Sequence, residues 1–266
     1  MPRELLNGIQ LYYEVHGAGP ALVFLHGMTL DHREWDAQVE AFQDRYQVIT
    51  YDQRGHGQTE SPGRYGVELD AEDLEALLDH LGAAPAHLVG LSRGAAVAVS
   101  LALRNPALVH SLVLADPYIA GYVFETQLTD PPYWKVARNE GAAAARRVWL
   151  GGHAFARAMG DPQLRPGIEA QVEAFTVDMW LNSGREPDHL SRLGEVTATT
   201  LALAAEFDPR DFHQVADLAA ARIPDARRVT LPAAGHLANL ENPSGFNQVL
   251  NDFLEEVEIT ESPSAH

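Results

Sequence analysis

No cysteine occurs among the 266 residues, which excludes disulfides, thiolate metal ligands and a thiol nucleophile together. Any covalent chemistry falls to oxygen or nitrogen. Lysine is nearly absent as well: of 19 basic side chains, Lys135 is the one lysine and the rest are arginine. Against 37 acidic residues they leave a formal net charge of −18. That balance repels phosphate backbones and anionic headgroups, and it speaks against nucleic-acid and membrane partners. No apolar run nears the ~18 residues that cross a bilayer. The opening Met1-Pro2-Arg3-Glu4 has neither the basic start nor the apolar centre of a secretory signal, so the chain reads as cytoplasmic. Internal repeats and low-complexity linkers are lacking too. What remains is 46% hydrophobic and 21% charged. This is the composition of a soluble globular protein, long enough to bury a substantial core and read as one domain with an insertion.

Along the chain, strand and helix patterns alternate. Asn7-Gly8 between alternating runs reads as a hairpin joining strands at 3–6 and 9–16. The wholly apolar Ala21 to Leu25 reads as a strand covered on both faces, as in a parallel sheet. Helical spacing follows over 34–45, a strand over 47–52, and a helix over 68–82 that stops at Gly82. His80 on that helix reads as a surface or packed residue. The loop from Asp52 to Pro62 holds Asp, Arg and His together, but its glycines turn the chain and Asp52 and Arg54 read as ties within the loop. Strands at 86–91 and 110–115 enclose an apolar helix at 94–104, and then the alternation stops. Residues 117–195 offer helical patches but no buried strand, with Trp134, Trp149, Trp180, Tyr118 and Tyr122 among their aromatics. They read as a helical lid whose aromatics partly line a cleft. Strands at 200–205 and 227–231 and helices to about Arg222 and over 243–257 resume the alternation. The expected organisation is a core of 1–116 and 196–259, a lid of 117–195 and a disordered tail of 260–266.

Gly90-Leu91-Ser92-Arg93-Gly94 sits between the strand at 86–91 and the helix at 94–104. A serine at such a reversal needs a strained backbone, and the two glycines let strand and helix pass closely. Ser92 then presents its hydroxyl at a helix start. Because that hydroxyl is a poor nucleophile at neutral pH, it needs a base and a carboxylate to orient the base. His236, one of twelve histidines, alone follows the last expected strand in a small-residue loop and is the candidate base. Asp208, three residues past a strand end, is the first candidate acid; Asp116 is second and Asp211, a natural first-turn residue of its helix, third. The backbone N–H groups of Met28 and Arg93 are candidate donors to a developing oxyanion. The Arg93 side chain reads either as a carboxylate binder or as a salt-bridge partner.

These residues, with His26-Gly27, Asp52-Gln53-Arg54-Gly55-His56-Gly57 and Gly235-His236, resemble the α/β-hydrolase superfamily over residues 10–257. The stretch from Pro232 to Asn247 is similar to the 3-oxoadipate enol-lactonase and carboxylesterase branch. Two positions depart from that branch. Arg93-Gly94-Ala95 replaces a frequent Met-Gly-Gly, and His26-Gly27 an Asn-Ser pair. The resemblance implies a mostly parallel eight-stranded sheet flanked by helices, with the lid inserted after the sixth strand. It also implies a cofactor-free, metal-free serine hydrolase in which Ser92, His236 and Asp208 cleave a small-molecule ester or lactone through an acyl-enzyme. The same triad could open a C–C bond or form peracids, and the fold also serves as a small-molecule receptor.

Overall fold

Asn7 and Gly8 both take positive φ, 44° and 78°, the backbone of a two-residue hairpin whose twist matches its strands. They join β1 (Arg3–Leu6) to β2 (Ile9–His16), with Leu6 opposite Ile9. The computed structural model describes residues 3–61, 63–125 and 128–261. After the hairpin come β3 (Ala21–Leu25), α1 (Asp36–Phe42), β4 (Gln47–Tyr51), α2 (Val67–Leu81), β5 (Ala86–Leu91), α3 (Arg93–Arg104) and β6 (Val109–Ala115). Four helices follow: α4 (Tyr133–Glu140), α5 (Ala142–Leu150), α6 (Arg165–Ala174) and α7 (Asp178–Asn182). The chain closes with β7 (Thr199–Ala205), α8 (Arg210–Arg222), β8 (Ala226–Leu231), α9 (Ala238–Glu241) and α10 (Pro243–Glu261).

The eight strands form one sheet in the order β1-β2-β4-β3-β5-β6-β7-β8. β1 and β2 are antiparallel to their neighbours, and β4 through β8 all run parallel. The chain leaves β3 for β4 on one side and returns across it to β5 on the other. The carboxyl ends of β3 and β5 thus flank a topological switch point, where open α/β sheets bind ligands. The apolar strands are apolar because both faces are covered. Val23 and Leu25 pack into a core with α2, α3 and α8, while Leu22 and Phe24 pack into another with Trp35, Phe246 and Phe253. Trp149 and Phe155 of the segment between β6 and β7 join the second core, so that segment is packed onto the sheet layer.

Two helices differ from the sequence reading by more than a residue at an end. The run expected as one helix over 34–45 begins as a 3₁₀ turn, His32–Trp35, because the Asp31 side chain accepts the Arg33 N–H and tightens the entry before α1 starts. The last helix was expected to end near Val257. It continues to Glu261, through a Glu-rich stretch with no glycine or proline to stop it. The expected tail of 260–266 therefore begins inside α10, and its residues 262–266 lie outside the described residues. Among the described residues no helix is long and apolar enough to cross a membrane.

The close approach at the β5–α3 junction is measurable. A Cβ on Gly94 would lie 2.1 Å from the Leu25 carbonyl oxygen, and one on Gly90 would lie 2.4 Å from the Gly94 carbonyl carbon. Both obstacles are backbone and cannot rotate away. Gly94→Ala is therefore expected to force β3 and α3 apart, costing ~1–3 kcal/mol or more as overpacking does. A thermal melt should show Tm lower by roughly 5 °C or more. An unchanged melt would mean that the junction is looser than it looks.

Candidate active site

Strand register brings five loops together. Leu25 pairs with Gly90, Leu91 with Ala115, Ala115 with Leu203, and Ala205 with Leu231. The residues that follow these positions, Gly27, Ser92, Asp116, Asp208 and His236, consequently emerge along one carboxyl edge of the sheet.

Ser92 has φ 52° and ψ −112°, a conformation that costs non-glycine residues ~1–3 kcal/mol and persists only where the surroundings impose it. Here they do. The Ser92 N–H donates to the Ala115 carbonyl at 2.9 Å, and the Ser92 carbonyl accepts from Ala95 and Tyr118, each at 3.1 Å. The side chain is left at the first turn of α3, on the wall of two adjoining spaces.

Asp208 and His236 are held by bonds between their loops. Glu206 N–H donates to Leu231 O at 2.8 Å, Phe207 N–H to Ala234 O at 2.9 Å, and Ala233 N–H to the Glu206 carboxylate at 2.9 Å. Across this junction the His236 Nδ1 lies 3.0 and 3.1 Å from the two Asp208 oxygens. An imidazole facing a carboxylate in this way carries its proton on Nδ1 and leaves Nε2 as the acceptor. The Phe212 ring packs against the imidazole with centroids 4.2 Å apart. Burial pushes the His236 pKa down, against the pull of nearby Asp116 and Glu241, and so favours the neutral ring. Ser92 and His236 line one recess of about 30 Å³ together with Gly27, Met28 and Leu237, room for a water-sized group.

The two other acids considered from sequence take different places. Asp116 is fully buried, and its Oδ1 accepts the Ala205 N–H at 2.6 Å. Its Oδ2 is buried without a donor among the described residues and neighbours Asp208. Burial and the Asp208 charge push the Asp116 carboxyl well above the ordinary range, and burial pushes Asp208 well up too, against the contact with Asp116, which works to lower it. Within the pair this contact favours the proton on Asp116 and the charge on Asp208. Asp211 stands in the first turn of α8 and accepts the Glu125 N–H and the Tyr122 hydroxyl, at 3.0 and 3.1 Å.

Above the recess opens a cavity of about 490 Å³ lined by Ser92, Arg93, Met28, Tyr118, Trp134, Trp149 and Trp180, joined by Tyr133, Phe124, Phe212 and Glu186. Four of the five aromatics expected at a cleft are there. Tyr122 is the exception: its hydroxyl donates to Asp211 and Gln214, and it borders a separate groove with Glu68 and Asp188. Its place beside Phe124 on an apolar wall, 5.0 Å between centroids, explains why composition alone suggested the cleft. The indoles are anchored at their polar tips, Trp149 Nε1 to Thr29 Oγ1 at 2.8 Å and Trp180 Nε1 to Met28 Sδ at 3.2 Å.

The Arg93 guanidinium donates to Gln53 Oε1 at 2.6 Å and pairs with buried Asp70. Of the two readings left open for it, salt-bridge partner is the one realised. The loop from Asp52 to Ser61 is likewise tied by hydrogen bonds, within itself and to its neighbours. Asp52 accepts from His32 N–H and Nδ1 and from Gln58 N–H, and Arg54 pairs with Asp73. Among the described residues Asp31, His32 and Asp52 bring potential metal-ligand atoms within 4.8 Å. Asp52 and His32 are engaged with each other, however, and Asp31 with Arg33, a set closed on itself.

Two acids near the site carried no sequence signal, since charged residues on short helices look solvated. Glu241 accepts the N–H groups on either side of His236, from Gly235 at 2.7 Å and Leu237 at 3.3 Å. Glu34 is fully buried and accepts the Gly27 N–H at 2.8 Å, fixing the loop that carries Met28. Desolvation pushes the Glu34 pKa up to about 8 from 4.5. Between those values the folded chain holds a proton that the unfolded chain has lost, so stability falls as pH rises across the window. Glu34→Gln keeps the acceptor and removes the titration. The variant is expected to melt a few degrees higher than the wild type at pH 9 and to show a flatter Tm between pH 5 and 9. Identical slopes in the two proteins would refute the assignment.

The sequence model of the family described as alpha/beta hydrolase fold matches residues 20–165. A protein from Variovorax paradoxus strain S110 that carries the name carbamate hydrolase RutD is 30% identical over 96% of this chain and 99% of its own. The enol-lactonase from Burkholderia xenovorans LB400 superposes with a TM-score of 0.83 at 26% identity, covering 96% of this chain and all of its own. A thermophilic esterase from Thermogutta terrifontis does so with a TM-score of 0.79 at 28% identity, over 94% of each chain. The switch-point sheet, the strained serine between β5 and α3 and these likenesses agree, and the chain belongs to the α/β-hydrolase fold family.

Proposed function

We propose that the protein is a serine hydrolase of carboxylic esters or lactones working through Ser92, His236 and Asp208. The observation that supports this most is the recess shared by Ser92 and His236, with the far nitrogen of the imidazole bound to Asp208. In this reading Ser92 Oγ attacks the substrate carbonyl carbon and its proton passes to His236 Nε2. Asp208 stabilises the imidazolium that forms. Negative charge grows on the carbonyl oxygen, where the N–H groups of Met28 and Arg93, at the β3 loop and the start of α3, would meet it. His236 then protonates the leaving oxygen. Water, deprotonated by the same ring, releases the acid from Ser92. Residues 117–195 act as the lid, placing their indoles over the cleft.

The relative named for carbamate hydrolysis supports a second substrate class, because a carbamate carbonyl undergoes the same attack. Incubation with a fluorophosphonate probe, followed by turnover on aryl esters, lactones and aryl carbamates, separates these. Labelling of Ser92 with turnover of at least one class is expected. Tight ligand binding with neither labelling nor turnover would make the protein a receptor and end the proposal.

A further inference from the structure

We infer that the cleft selects substrates whose acyl or alcohol part ends in a hydrogen-bond donor, a hydroxyl or an N–H, and disfavours those ending in a carboxylate, with Glu186 as the specificity-determining acceptor. This rests on the serine-hydrolase reading above and names its substrate class.

Among the residues lining the 490 Å³ cavity, the charged ones are Arg93 and Glu186. Arg93 is already engaged by Asp70 and Gln53, so its charge is offset before any ligand arrives. With Asp70 and Glu186 both beside it, the polar end of the cleft has no surplus positive charge for a substrate carboxylate. Two other polar side chains there are engaged within the protein. Thr129 Oγ1 accepts the Tyr133 N–H, and the Ser183 hydroxyl donates to the Met179 carbonyl. Glu186 differs. The Val67 N–H at the start of α2 interacts with its carboxylate, yet Oε2 is buried without a donor among the described residues. A buried acceptor left without a donor is unfavourable and calls for a partner. Around it the walls are aromatic, Trp134, Trp180 and Phe124 among them, which suits an apolar chain with one donor at its end. Burial raises the Glu186 pKa while Arg93 opposes it. In either protonation state Oε2 can accept a hydrogen bond.

The test compares p-nitrophenyl esters of straight-chain acids of several lengths, ending in methyl, hydroxyl, ammonium or carboxylate, on the wild type and on Glu186→Gln. At the length that spans Ser92 to Glu186, the hydroxyl or ammonium ester should exceed its methyl isostere in kcat/KM by ~10-fold or more, since sites built for a donor reject analogues that lack it. The carboxylate ester should be the slowest. Gln retains an acceptor for Val67 but adds a donor, so Glu186→Gln should raise the carboxylate-to-methyl ratio by ~10-fold and abolish any preference for ammonium. Unfolding of the variant is read separately by its melt. Wild-type hydrolysis of methyl-ended esters with no donor preference at any length, or unchanged ratios in the variant, overturns this inference and leaves the serine hydrolase standing. If no ester in the series is cleaved, this inference falls, and the serine-hydrolase reading falls with it only where fluorophosphonate labelling and turnover of lactones and carbamates are absent too.

Discussion

Ser92→Ala is expected to abolish almost all turnover while leaving the fold in place. The loss in kcat should approach ~10⁶, the scale seen when a nucleophile that works as a unit with its base is removed. What stays behind, an oxyanion site and a binding cleft, accounts for a residual ~10³ over water. The fold should survive because alanine inherits the same strained backbone, which is imposed by the bonds from Ala95 and Tyr118 to the Ser92 carbonyl and from its N–H to Ala115. Turnover of an activated aryl ester and incorporation of a fluorophosphonate should vanish together, with a melt within a degree or two of the wild type. Retained turnover would remove Ser92 from the chemistry, whatever its geometry.

Much of the architecture was legible because it depends on patterns that repeat. Short apolar runs such as Ala21–Leu25 and Ala86–Leu91 must be covered on both faces, and alternation with amphipathic helices then leaves few arrangements besides a parallel sheet. Candidate site residues at the ends of such strands could be read for the same reason: once β5 through β8 lie side by side, the loops carrying Ser92, Asp208 and His236 emerge along one edge. Helix boundaries at α1 and α10 were harder, since one depends on the Asp31 cap and the other on a gradual run of glutamates.

The contacts that tune the candidate site were not legible, and the reason is physical. Arg93 finds Asp70 and Gln53 at separations of 23 and 40 residues, one pairing set by how α2 leans on α3 and the other by the loop after β4. Glu34 and Glu241 look solvated by type, yet they are buried under the loops they brace. Glu186 belongs to the stretch between α7 and β7, where neither a period of 3.6 nor one of 2 exists to say which side chains face inward. Tyr122 failed in the opposite sense. Its aromatic character pointed to the cleft, but its hydroxyl had better partners in Asp211 and Gln214.

The acid of the proposed triad is where sequence order left a choice, and substitution at two positions decides it. Asp208→Asn is expected to lower kcat by ~10³–10⁴, because an amide facing Nδ1 no longer fixes the tautomer or stabilises the imidazolium. Asp116→Asn should cost less than ~10-fold. The contact between the two carboxyls favours the proton on Asp116, and asparagine keeps both an acceptor for the Ala205 N–H and a donor toward Asp208. The pH profile supplies a second readout. Activity needs neutral His236, whose pKa is held below 6.5 by burial, so the acid limb of kcat/KM in the wild type should fall below that value. Replacing Asp208 removes the negative charge that favours imidazolium, and the limb should move to lower pH still. Asp116 also pulls the ring's pKa up, so Asp116→Asn should move the limb the same way but by less. A reversed pattern, with Asp116→Asn the crippled variant and the one whose acid limb shifts more, would transfer the role of the acid from β7 to β6.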